Sequence, residues 1–194
     1  MSIRVSMGVV ALISCALIPL VPGAAVAQVS PMYVNCQYGF AVIFPSPPMT
    51  RDIRYTTASG TTVPARQFYV ERGNNSYIET VVDFSSGPKA DEAIVEHAAS
   101  VLRSRGETRF QAQALYDPGM PGRQLNIFER NGRQLRASVY MAEHRLFITE
   151  ASAAIGDTAA LMFEQSITLV DSSGTDLDRA APSGEETLRT FPCR

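Results

Sequence analysis

The constraint that reaches furthest is Asn131-Gly132, set between two apolar-patterned runs in "PGRQLNIFERNGRQLRASVY" (121–140). Such a dipeptide is the strongest short-range signal for a β-hairpin, because both residues tolerate the positive φ that a tight turn needs. A two-residue loop would put Arg130 opposite Arg133, Ile127 opposite Arg136 and Leu125 opposite Ser138, scattering the apolar side chains over both faces. A three-residue loop, Arg130-Asn131-Gly132, sets Glu129 against Arg133, Ile127 against Leu135 and Leu125 against Ala137 on one face. Gly132 then occupies the left-handed position of a bulge, and this is the register we predict. Gly-Arg-Gln-Leu occurs twice here, but the copies fall at non-equivalent places in the hairpin and form no repeat.

The rest of the chain reads as further strands around this hairpin and two helices. In 39–44, "GFAVIF", Phe40, Val42 and Phe44 alternate with Ala41 and Ile43 until Pro45-Ser46-Pro47-Pro48 stops the strand. Strands are expected over 51–57, 63–71 and 77–84, the last two joined around Gly73-Asn74-Asn75. The period turns helical in "PKADEAIVEHAASVLRSRG" (88–106), where Ile94, Val95, Ala98, Val101 and Leu102 share a face. Asp91 and Glu92 come early, Arg103 and Arg105 late, and Gly106 is the expected stop. A strand over 109–116 leads into "DPGMPG" (117–122), and another over 145–151, after a turn at 142–144, extends the hairpin into a meander. A second helix over 157–165 has Ala160, Leu161 and Phe163 to bury, and 167–170 ends the core. Strand groups before each of two helices, joined by hairpin turns, predict an α+β fold: a central antiparallel sheet flanked by two helices.

Residues 1–27 read as a signal peptide: Arg4 precedes an apolar stretch to Val21, and Ala25-Val26-Ala27 offers small residues for cleavage before Gln28. A rival lies in Leu12-Ile13-Ser14-Cys15, which fits a lipobox and would tether the chain to a membrane through Cys15. Against it, the apolar run continues beyond Cys15, where a lipoprotein normally carries a polar tether. Residues 28–170 are expected to form one domain, and 171–194 a polar, acidic tail. An oxidising destination makes Cys36 and Cys193 the natural disulfide, tying that tail to the start of the domain. The expected location is periplasmic or secreted. A formal net charge of −2, without a basic patch, speaks against a nucleic-acid partner.

Four stretches together, "GFAVIFPSPP", "YIETVVDF", the Pro-Gly-Arg loop before the meander ("PGRQL" to "RLFITEA") and "FEQSITLV", resemble small exported bacterial proteins with a PsbP-like fold. The likeness covers about 39–170. It implies a central antiparallel sheet flanked by helices, in proteins that act as assembly, accessory and protein-binding modules. It brings no catalytic motif whose residues could be carried onto this chain.

Common signatures of chemistry are missing from the sequence: no Gly-rich phosphate loop, His-Glu-x-x-His, Cys-x-x-Cys or Gly-x-Ser-x-Gly occurs. No cofactor and no metal site are expected. Arg123, Arg133, Arg136 and Arg145 are dense around the meander and form the candidate ligand-binding set, gathered with the 117–122 loop at one end of the sheet. The bland alternative is ordinary surface pairing, with Glu129 facing Arg133 and Glu143 near Arg145. Met120 offers either an exposed apolar loop or packing against the sheet. The resulting expectation is an exported, non-enzymatic binding or accessory module of the cell envelope, its partner an envelope protein or a small ligand. The competing classes are a hydrolase-type enzyme with a scattered site, for which Asp83, His97, Glu129 and His144 are the first candidates, and a lipid-anchored structural protein.

Overall fold

The computed structural model describes residues 31–114, 120–178 and 189–193. The leader, Cys15, the cleavage position after Ala27, and Tyr116 with residues 117–119 lie outside the described residues. Two short strands, β1 (Tyr33–Asn35) and β2 (Phe40–Val42), precede a long hairpin of β3 (Met49–Thr56) and β4 (Thr62–Arg72), and β5 (Asn75–Asp83) follows. Then come α1 (Glu92–Arg103), β6 (Gly106–Gln113), β7 (Gly122–Glu129), β8 (Gln134–Ala142), β9 (Arg145–Ala153), α2 (Thr158–Gln165) and β10 (Thr168–Leu169). Seven strands form one antiparallel sheet in the order β3-β4-β5-β9-β8-β7-β6, and β1-β2-β10 form a separate three-stranded sheet. The fold is α+β.

The central hairpin closes through the three-residue loop. Glu129 N–H donates to Arg133 O at 2.9 Å, Gly132 N–H donates to Glu129 O at 2.9 Å, and Gly132 sits at φ 80°. Leu125 consequently faces Ala137, and Ile127 faces Leu135. Alternation then separates two cores on the two faces of the large sheet. On one, Leu125, Ile127, Leu135, Ala137, Val139, Leu146 and Ile148 pack against Val95, Ala98, Ala99 and Leu102 of α1. On the other, Phe68, Val70, Tyr77, Tyr140 and Phe147 meet Phe40 and Val42 of β2, Leu169 of β10, and Ala160 and Phe163 of α2. The second core is strongly aromatic. Phe40 stacks edge-on against Phe68 at 4.9 Å, and Phe163 lies 4.9 Å from Phe44 and 5.6 Å from Tyr77.

Both helices begin where an aspartate can cap them. Asp91 accepts from the N–H groups of Ala93 and Ile94, and Asp157 from Ala160. Gly106 does not stop α1 as expected: the helix ends at Arg103 with Ser104 as its cap, and Gly106 opens β6. Its lack of a side chain serves close strand approach, because a Cβ there would lie 2.0 Å from the Phe128 carbonyl oxygen. The 39–44 strand is shorter than its alternation suggested, and its three residues are buried on both faces between β1 and β10.

Cys36 and Cys193 form a disulfide with their Cα atoms 5.5 Å apart. Around it the C-terminal segment adds Phe191 to a small apolar group of Val34, Ala41 and Val170. Arg189 donates to the buried Asp176 at 2.7 Å. Among the described residues no helix is long and apolar enough to cross a membrane.

Candidate functional site

The four meander arginines occupy different surroundings. Arg123 shares the α1 face with Leu125 and Ile127, and its guanidinium is held by Glu92 and Glu96, its Nε 3.2 Å from the latter. These acids hold its pKa above the usual value, the hydrogen bond that it donates to Glu92 being the main cause. Arg136 lies on the opposite face, where its Nη2 reaches Glu164 of α2 at 3.3 Å. That carboxylate is buried and also accepts from Gln124 and Ser138, so Arg136 belongs to the α2 interface. Arg133, at the turn, donates to Asn75 Oδ1 at 2.9 Å and to Ser152 O at 2.8 Å. The surface pairs expected from spacing are replaced as well: Glu129 binds Arg105 at 2.5 Å, and Glu143 binds Lys89 at 2.7 Å. A strand register brings positions level but leaves the choice of partner to whatever packs over that face.

Of the scattered-enzyme candidates only Asp83 and His144 come near each other, at the end of β5 and the start of β9, where the Phe84 N–H donates to His144 O at 2.8 Å. Asp83 accepts from the Ser85 N–H at 2.8 Å and so caps a turn. His144 Nδ1 is 2.9 Å from the Gly87 carbonyl, and His97 Nε2 is 3.3 Å from the Thr56 carbonyl. Glu129 is buried among Arg105 and Ser152. Among the described residues no group of three His, Cys, Asp or Glu could hold a metal ion. Met120 packs against the aromatic core.

Arg145 is different. It begins β9 directly opposite Asp83 of β5, on the aromatic-core face, and lines a cleft of about 620 Å³ with Tyr38, Asp52, Arg54, Arg66 and Asp83. Ala65 and Val81 supply apolar lining. The β1–β2 turn forms one wall, and Gly39 lets it come close: at φ 81°, its missing Cβ would meet Val170 O at 3.2 Å and Arg145 Nη1 at 3.3 Å. Arg66 is engaged by Asp52 at 2.7 Å and Thr50 at 3.0 Å, with its guanidinium 5.9 Å from the Tyr38 ring centre. Arg54 donates to the Thr62 hydroxyl and carbonyl, each at 2.9 Å. The Arg145 guanidinium, half-buried, has no ion pair or hydrogen bond among the described residues. Three guanidiniums stand here against two carboxylates, which leaves the cleft with a net positive charge.

Sequence reading named Arg145 and Asp83 but missed Tyr38, Asp52, Arg54 and Arg66. A signal for three of them was present in "TTASGTT" (56–62), whose Gly60 marks a second bulged hairpin. Registering that turn sets Asp52 opposite Arg66 and puts Arg54 on the same face. Tyr38 carries no such mark, because it arrives from the separate small sheet.

Set against known protein families, curated proteins and solved structures, the chain matches none. The PsbP-like resemblance therefore rests on its sequence motifs alone.

Proposed function

We propose that the chain is an exported binding module of the cell envelope that takes a small anionic ligand into the Arg145 cleft. One observation carries this reading: the Arg145 guanidinium faces the cleft without an acceptor among the described residues, while Arg54 and Arg66 beside it are engaged. No Arg145 nitrogen is among the buried side-chain atoms without a partner, so the guanidinium is open to the solvent of the cleft, and a carboxylate or phosphate entering there can engage it through two parallel hydrogen bonds. The volume falls within the range of small-molecule sites, and Tyr38 with Val81 and Ala65 offers apolar contact beside the charge. Export is supported by the leader-like residues 1–27 and by a disulfide, which persists in oxidising compartments.

Native mass spectrometry of the protein purified from its own host tests the proposal. We expect a bound anion of small mass, lost in Arg145→Gln while the variant's Tm stays within a few degrees of wild type. A ligand that survives Arg145→Gln, or protein that never carries one and binds none from a panel of carboxylates and phosphates, rejects the cleft as the site.

A further inference from the structure

Among the described residues the large sheet has two open edges, β3 and β6, and they are built differently. At β6 the pairing with β7 slips between Thr108 and Phe110, and Arg109 lies 4.8 Å from the Phe128 ring centre, so the edge is broken by a bulge. Bulged edges make poor templates for further pairing. At β3, by contrast, the register with β4 is unbroken from Met49 to Thr56, and the side chains are exposed or half-exposed throughout. A regular edge of this length invites another strand.

The free backbone groups can be assigned. The Thr57 N–H donates to Thr61 O at 2.8 Å, and Pro64, which has no N–H, stands opposite Arg54. The odd-numbered residues of β3 therefore bond to β4, while Thr50, Asp52 and Arg54 turn their N–H and C=O groups outward. Thr56 has the same parity, but its carbonyl is already approached by His97. A second copy pairing antiparallel along this edge must match even residues with even ones. Its two-fold axis must then pass through a residue position and not between two.

Charge selects which position. An axis at Asp52 sets two carboxylates against each other, and one at Arg54 sets two guanidiniums against each other; either is unfavourable. An axis at Arg51 sets Asp52 against Thr50 and Arg54 against Pro48, and one at Tyr55 sets Arg54 against Thr56 and Asp52 against Ala58, so neither pairs the two charges. Only an axis at Ile53 places Asp52 opposite Arg54 on both sides of the two-fold. Ile53 then meets its own copy as the closer, non-hydrogen-bonded pair, and Arg51 stands opposite Tyr55. Donors and acceptors remain for this: Asp52 uses Oδ1 for Arg66, and Arg54 uses Nε and Nη2 for Thr62.

We propose that β3 pairs antiparallel with β3 of a second copy about a two-fold axis at Ile53, joining the two large sheets into one. Because Asp52 and Arg54 also line the Arg145 cleft, the dimer brings two clefts together along one face.

Sedimentation of the full chain across a concentration series tests the proposal, using two charge reversals at exposed positions. Asp52→Arg and Arg54→Asp each turn both cross-axis pairs repulsive, so each alone is expected to weaken self-association about tenfold or more. An equimolar mixture of the two should recover a heterodimer, because every introduced charge then faces its opposite. Ile53→Cys should give an intermolecular disulfide under mild oxidation, and Thr50→Cys should not. A wild-type chain that stays monomeric at every concentration overturns the proposal, as do single reversals that still dimerise or a mixture that stays monomeric.

Discussion

At Glu79, in the middle of β5, a carboxylate side chain is fully buried on the aromatic-core face. Thr149 donates to its Oε2 at 2.6 Å, while Oε1 is buried without a partner. Burial pushes its pKa up to about 8 from an ordinary 4.5, against the opposing Thr149 hydrogen bond and with a small further push from Glu150. The folded chain thus holds a proton that the unfolded chain releases above the ordinary value. Stability is greatest below that value and declines as pH rises toward about 8, by up to about 1.4 kcal/mol per pH unit from this group. Glu79→Gln keeps the acceptor for Thr149 and removes the titration. Urea unfolding should find the variant more stable than wild type near the upper end of that window and similar to it near the lower end. An equal difference at both ends would show that Glu79 is ionised throughout. Nothing local in "NSYIETVVD" marks the glutamate at 79 as buried, and nothing local says that its cross-strand neighbour is Thr149.

At the level of the elements, α1 depends on its first turn, where Asp91 satisfies two N–H groups that the helix leaves open. Asp91→Ala should cost about 1 kcal/mol in chemical unfolding, with little change in the slope against denaturant. An unchanged midpoint would mean that water caps the helix equally well. The helices and the long strands were legible because each carries its own period and its own turn: Asn131-Gly132 for β7–β8, Gly73-Asn74 for β4–β5. The strands β1 and β10 were not, since two or three residues hold too little alternation to be seen, and the pairing of β10 with β2 spans most of the chain. The arginines were misgrouped for a related reason. Arg123 and Arg136 lie close in sequence and pair through the same hairpin, yet their parity sends one toward Glu92 and Glu96 of α1 and the other toward Glu164 of α2.

Across the whole molecule, the Cys36–Cys193 bond closes a loop with a sequence separation of 157 residues. In the chain-entropy account such a cross-link stabilises by at most about 5 kcal/mol. Calorimetry with and without reductant should therefore show Tm falling by up to about 10–20 °C on reduction, and Cys36→Ser should reproduce the reduced value. A shift under a few degrees would mean that the contacts of Phe191 and Asp176 hold the C-terminal segment unaided. The three-stranded sheet adds a constraint of order in time. β2 reaches its partner β10 only when residues near the far end of the chain are present, and Phe40, Phe44 and Phe163 close over the large sheet through that pairing. While the polypeptide is being made, the aromatic side of the sheet thus stays uncovered until Leu169 has emerged from the ribosome.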